Sequence, residues 1–290
     1  MSKIRSLASF SEDNRLHVEV LRSRDPDARS QMLDELIGRL DDDLTDELLR
    51  LLRHSRELDF RLELIEHLGF ELDAAFYARA DEEDDDDERR RLSPAAYARI
   101  EENLRMFYRD ERENPRLRRK ALEAAVLAPL TWQEEAVREC WARTESEWQA
   151  CALYCMGQLD PVDFTDEIEH GLSSPNDDLR AQAIIAADSR DLVAFGSVIA
   201  KIAEDPGSEL EVRICAIEAL PNLRPPGARA LLEKLRRASE PICQFAADAL
   251  FNLEQNERAA ARLAAESETL PGFAGGPMRP FGIVPGSRFL

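Results

Sequence analysis

The sequence predicts an all-α chain, a solenoid of about seven helical hairpins. One apolar helix pattern recurs seven times in register, the copies follow one another at hairpin distance, and Pro or Gly marks the junctions between them. The pattern is centred on Met32, Leu64, Ala121, Ala152, Ala183, Ala216 and Ala246, at spacings of 32, 57, 31, 31, 33 and 30 residues. Periods of this size are the signature of helical repeat arrays, in which one hairpin cannot bury its apolar face alone.

The columns around this anchor agree. Four residues before it stand Ala28, Phe60, Leu117, Trp148, Leu179, Val212 and Ile242. One residue after it stand Leu33, Ile65, Leu122, Leu153, Ile184, Ile217 and Ala247, and four after it Leu36, Leu68, Ala125, Met156, Ala187, Leu220 and Leu250. Offsets of −4, 0, +1 and +4 share one face of a 3.6-residue helix. Three residues before the anchor, Arg29, Arg61, Arg118, Arg180 and Arg213 form a column of arginines expected to be structural. Each guanidinium is placed to reach a neighbouring carboxylate or loop carbonyl. Acidic or amide residues that precede these helices, among them Asp25, Asn114, Asp177 and Glu209, suit helix N-termini.

Between the repeated helices lie their partners, expected at Glu12–Arg22, Leu44–His54, Pro94–Arg109, Thr131–Arg143, Phe164–Leu172, Leu192–Glu204 and Pro226–Ala238. Pro161, Gly171, Pro175, Pro206-Gly207 and Pro225-Pro226-Gly227 punctuate the joints.

The second helix of each predicted hairpin resembles the HEAT-repeat family. The resemblance is carried by Asp25-Pro26-Asp27-Ala28-Arg29, Asn114-Pro115-Arg116-Leu117-Arg118, the run Glu211 to Leu220, and the Met156-Gly157-x-Leu159 ending. It covers roughly residues 12–254 and implies a HEAT-like, right-handed alpha-alpha superhelix. It implies no particular activity, because such arrays host many functions.

Two segments depart from the repeat. Residues 81–88 are eight consecutive acids within an expected inserted loop, 80–92, inside the one long anchor gap. Like charges repel and stay solvated, so the run reads as a linker, with a docking site for a basic partner as the alternative. A calcium loop needs a central Gly that is absent from this run. The solenoid is expected over 1–265, followed by an irregular Pro/Gly-rich tail, 266–290. That tail keeps Phe273, Met278, Phe281, Ile283, Val284, Phe289 and Leu290, so it either packs back on the solenoid or binds another protein.

Composition narrows the partners. The net charge of −20 repels phosphate backbones and anionic lipid surfaces. Five cysteines, Cys140, Cys151, Cys155, Cys215 and Cys243, form no disulfide framework, and the first ten residues lack a signal peptide's apolar run, so a cytoplasmic location is expected. Cys140, Cys151 and Cys155 could gather near one hairpin, but their spacing suits core packing better than zinc. His17, His54, His67 and His170 form no metal or protease spacing and read as surface or helix-end residues. No phosphate-cradling or nucleophile motif is present, so neither a catalytic residue, a cofactor nor a metal ligand is assigned.

Trp132, Trp141 and Trp148 stand close in sequence. Trp148 occupies the apolar −4 column, whereas Trp132 and Trp141 are candidate partner contacts, together with Phe281, Ile283 and Phe289 of the tail. The function expected is a non-enzymatic scaffold or adaptor that binds another protein of unknown identity, not nucleic acid or membrane. The family resemblance leaves one alternative, a HEAT-like lyase or chaperone-type factor handling a tetrapyrrole or another protein's cofactor.

Overall fold

Helix follows helix in neighbouring pairs through the whole described chain. The structure, a computed structural model, describes residues 7, 10–80, 92–128 and 131–269. Among these the secondary structure is helical, without strands. The acidic run 81–88 and most of the tail, with Phe281, Ile283 and Phe289, lie outside the described residues.

The pairs are α1 (Glu12–Leu21) with α2 (Pro26–Leu36), α3 (Asp42–His54) with α4 (Leu58–Ala80), α5 (Pro94–Arg109) with α6 (Pro115–Ala125), and α7 (Gln133–Trp141) with α8 (Ser146–Gln158). There follow α9 (Thr165–Leu172) with α10 (Asp177–Ser189), α11 (Gly196–Glu204) with α12 (Leu210–Leu223), and α13 (Ala228–Leu235) with α14 (Ile242–Thr269). A short 3-10 turn, Val193–Phe195, precedes α11. The predicted first helices are therefore present within a few residues of their expected bounds. Pro opens α2, α5 and α6, where its missing N–H is an orphan anyway. Asp25, Asn114, Asn176 and Glu209 accept hydrogen bonds from backbone N–H groups of α2, α6, α10 and α12.

The chain divides into two compact units, Met1–Cys155 with Leu159–Val162, and Met156–Gln158 with Asp163–Leu290. In the first, α1, α3 and α5 pack side by side as one layer, and α2, α4 and α6 as a second. In the second unit α11 packs on α13, while α10, α12 and α14 form the other layer. The anchor residues sit between the layers: Leu64, Ala121, Ala152, Ala183, Ala216 and Ala246 are fully buried and Met32 nearly so. The column one residue on is buried through Ile217 but ends at Ala247, which is exposed on α14, the last second helix among the described residues.

α14 corrects the expected start of the irregular tail. It continues to Thr269 rather than stopping before Glu266. The run Arg258 to Thr269 is rich in Ala, Glu and Arg, which favour helix, and the first breakers come at Pro271 and Gly272.

Two glycines show how near the second helices approach. Gly69 of α4 and Gly157 of α8 both stand five residues after their anchors. A Cβ on Gly69 would lie 2.8 Å from Ala124 Cβ and 2.9 Å from its Cα. A Cβ on Gly157 would lie 3.1 Å from Ala186 Cα. Ala124 and Ala186 both occupy the position three residues after the anchor of the following second helix.

Gly69→Ala sets two terms against each other. Helix propensity favours Ala by about 1 kcal/mol, while overpacking costs about 1–3 kcal/mol. At 2.8 Å, with backbone on the far side, overpacking wins. Denaturant unfolding should show Gly69→Ala destabilised, with Gly157→Ala affected less. A Gly69→Ala protein more stable than wild type would refute the close contact.

Candidate interaction surfaces

Four arginines of the column tie their second helices, α4, α6, α10 and α12, to the end of the first helix of the same hairpin. Arg61 Nε donates to Leu52 O at 2.8 Å, Arg118 Nε to Tyr108 O at 2.9 Å, Arg180 Nη1 to Ser174 O at 3.0 Å and Arg213 Nε to Ala203 O at 3.4 Å. Helix C-termini leave carbonyls without partners, and a cation there also opposes the helix dipole. Some of these arginines also reach the next hairpin. Arg29 pairs with Glu57 at 2.5 Å and lies 4.1 Å from the centre of the Phe60 ring. Arg61 pairs with Glu113 at 2.9 Å and stacks over Phe107. Arg118 stacks over Trp148.

A groove of about 560 Å³ runs between α3 and α5, lined by Glu47, Arg50, Arg53, Arg99, Asn103 and Met106 among others. It was not visible in the sequence, because its walls come from helices about fifty residues apart. Glu47, 2% exposed, is its electrostatic pivot. Burial would raise its carboxyl, but hydrogen bonds from Arg50 and Arg22 outweigh burial and hold it below the usual range. Arg22 Nε and Nη2 donate to Glu47 at 2.7 and 3.0 Å, and Arg50 Nε at 2.8 Å. Across the groove Arg53 Nε donates to Asn103 Oδ1 at 3.0 Å, and Asn103 Nδ2 to Arg99 O at 2.6 Å. Arg99 in turn pairs with Asp42 and Asp46 of α3, each at 3.0 Å. Ion pairs thus fix both walls, while Met106 stays 46% exposed.

A second exposed feature closes α4. Phe76 and Tyr77 meet edge to face at 5.5 Å between ring centres, and with Phe70 they stand at the surface.

The sequence-nominated tryptophans fall elsewhere. Trp132 is 5% exposed and stacks on Tyr108 at 5.8 Å, so its ring belongs to the interior and presents no surface to a partner. Trp141 is half-buried at the end of α7, where its carbonyl accepts from Gln149 Nε2 at 3.4 Å.

Cys140, Cys151 and Cys155 do gather in the core of the first unit. Cys140 Sγ lies 3.5 Å from the Tyr108 hydroxyl, and Cys151 Sγ donates to Arg119 O at 3.7 Å. Contact with Cys151 and burial push the Cys140 thiol far up, and the other two are also raised. Neutral buried thiols are poor nucleophiles. Among the described residues no group of His, Cys, Asp and Glu is arranged to hold a metal ion.

His67 corrects its expected surface position. It lies on the buried side of α4, 4% exposed, with Nε2 3.7 Å from Glu71 Oε1. Glu71 is buried as well and accepts the Gly38 N–H at 2.7 Å. Burial lowers His67 to about 4 and raises Glu71 to about 7, the latter against the Gly38 hydrogen bond. The pair is therefore largely neutral near pH 6.

Comparison with known proteins adds little to this geometry. No protein-family profile matches the chain, and no curated protein matches it in sequence. Solved structures match weakly. The Escherichia coli protein YibA has a TM-score of 0.45 at 13% identity, covering 88% of this chain and 99% of YibA. Human deoxyhypusine hydroxylase has a TM-score of 0.38 at 14% identity, covering 84% of this chain and 96% of the hydroxylase. An engineered protein has a TM-score of 0.33 at 17% identity, covering 85% and 98%. These values support no transfer of activity. No described helix is long and apolar enough to cross a membrane.

The His67–Glu71 pair sets a pH dependence. Glu71 holds its proton more tightly folded, about 7, than unfolded, 4.5, so its contribution is complete below 4.5 and is lost as pH rises through 7. His67 acts oppositely: its contribution is present above 6.5 and is lost as pH falls through about 4. The two oppose each other up to about 6.5, and Glu71 alone remains above that. Chemical denaturation from pH 6 to 8 should show wild type losing stability relative to Glu71→Gln. Parallel curves would refute the assignment.

Proposed function

We propose that the protein is an interaction scaffold, and that it holds a segment of another protein in the groove between α3 and α5. The groove itself carries this reading. Small-molecule pockets are mostly apolar with a few polar groups. This groove instead sets Leu49, Ala98 and Met106 among charges of both signs, the mixture found where an apolar centre meets a polar rim at protein interfaces. Met106 is an adaptable, unbranched contact. The ion pairs that tie Arg22 and Arg50 to Glu47, and Arg99 to Asp42 and Asp46, hold the walls in place before a partner arrives, which lowers the cost of binding. The charge of −20 disfavours nucleic acid as that partner.

Met106→Asp tests the proposal at an exposed site where folding should change by no more than about 0.5 kcal/mol. Val198→Asp, also at an exposed position but on α11, is the control. Affinity capture from the native cell, quantified against wild type, should show a partner depleted at least tenfold by Met106→Asp and retained by Val198→Asp. Equal retention by both variants would remove the groove from the interface.

A further inference from the structure

Three guanidinium groups converge on one indole in the first unit. Arg118, Arg119 and Arg143 lie 5.1, 5.5 and 4.3 Å from the centre of the Trp148 ring. Arg118 belongs to the repeated column, and its Nε is taken by Tyr108 O. Arg119 and Arg143 have no such structural reason. The residues matching Arg119 in the other repeats are Ser30, Leu62, Ala150, Ala181, Ile214 and Gln244, none of them basic. Arg143 stands in the turn before α8.

Among the described residues neither Arg119 nor Arg143 has a carboxylate within ion-pair distance, whereas most arginines of the groove and column do. The carboxyl that feels Arg119 is Glu123, which is buried and pushed by that burial toward its neutral form. Glu145 accepts from the Thr144 hydroxyl at 3.4 Å instead of reaching Arg143. The same place is the start of α8, a helix of 13 residues whose N-cap, Glu145, makes no side-chain hydrogen bond to the helix. Its positive dipole end adds to the two cations. Contact with the Trp148 ring restrains both guanidinium groups, so less side-chain freedom is left to lose when an anion binds.

We propose that Arg119 and Arg143, seated on Trp148 at the start of α8, bind a phosphomonoester carried by a segment of a partner protein. A phosphomonoester carries about −1.5 to −2 at pH 7, which matches two uncompensated arginines, whereas a carboxylate would match one. Guanidinium forks grip phosphate oxygens in pairs. A nucleic acid, with one charge for about every 1.7 Å of duplex, would bring further phosphates against the neighbouring exposed Glu145 and Glu147 and the acidic surface beyond. The site therefore suits one compact anion. The protein-borne source rests on the scaffold reading, while the anion site itself stands apart from the groove at Met106.

Calorimetric titration of the full-length chain with the pentapeptide Ala-Gly-phosphoserine-Gly-Ala tests it, beside the unphosphorylated pentapeptide and inorganic phosphate. The phosphopeptide should bind at least tenfold more tightly than either. The Arg119→Ala/Arg143→Ala protein, which keeps Arg118, should lose at least tenfold of that affinity while still unfolding in a cooperative transition well above the titration temperature. Arg119→Lys/Arg143→Lys, which keeps the charge but not the forks, should recover only part of it. Absence of phosphopeptide binding, or binding that the alanine variants leave intact, would overturn the site. Equal affinity for inorganic phosphate would overturn the protein-borne source.

Discussion

How closely one second helix can lie on the next sets the terms for the rest of this structure. A helix that buries an apolar stripe on both its neighbours needs small side chains where backbones meet, and the repeat supplies them. Ala121, Ala152, Ala183, Ala216 and Ala246 hold the anchor, and Gly69 and Gly157 yield to Ala124 and Ala186 at the closest points. Leu64 and Met32 replace Ala at the anchor in the first two hairpins. Because protein interiors are packed to crystal density, such contacts tolerate almost no added volume.

That packing fixes the first helices, and the arginine column completes the attachment. Each of Arg61, Arg118, Arg180 and Arg213 crosses from a second helix to a carbonyl at or just beyond the end of the first. Hydrogen bonds from a charged donor contribute about 1.5–3 kcal/mol each, and here they also satisfy carbonyls that a helix end would leave open. With both layers held, the outer surface is free to vary. The groove between α3 and α5 and the cations around Trp148 are both such variations, placed on residues the repeat does not require.

The sequence shows the layer architecture because burial repeats along it. Columns at −4, 0, +1 and +4 are legible wherever a following helix covers them. They fail at Ala247, which is exposed on the last second helix among the described residues, and at Ala28, which is only half-buried. The groove was not legible, because Arg53 and Asn103 meet across fifty residues and neither belongs to a column. His67 was misplaced for a related reason: three residues after an anchor, its position is filled by the exposed Glu35 in the first hairpin but by Ala124, Cys155, Ala186, Ala219 and Ala249 in the later ones, all buried. That column, had it been followed, would have placed His67 inside. Trp132 stands in a cluster of tryptophans but outside the repeat columns, so the sequence carries no sign of which way its ring faces. A lone Arg119 next to a column arginine, with Arg143 just ahead of the Trp148 helix, was the only trace of the cation cluster.

Ala216 is the most direct probe of the packing constraint. It is fully buried on α12, whereas Ala247 on α14 is the exposed alanine of the adjoining column. Thermal unfolding of Ala216→Asp beside Ala247→Asp separates burial from helix propensity, since both changes put the same residue into a helix. An unpaired buried carboxylate costs a few kcal/mol, so Ala216→Asp should lower the Tm by roughly 5–10 °C while Ala247→Asp stays near wild type. If the two variants melt together, the anchor column does not carry the fold.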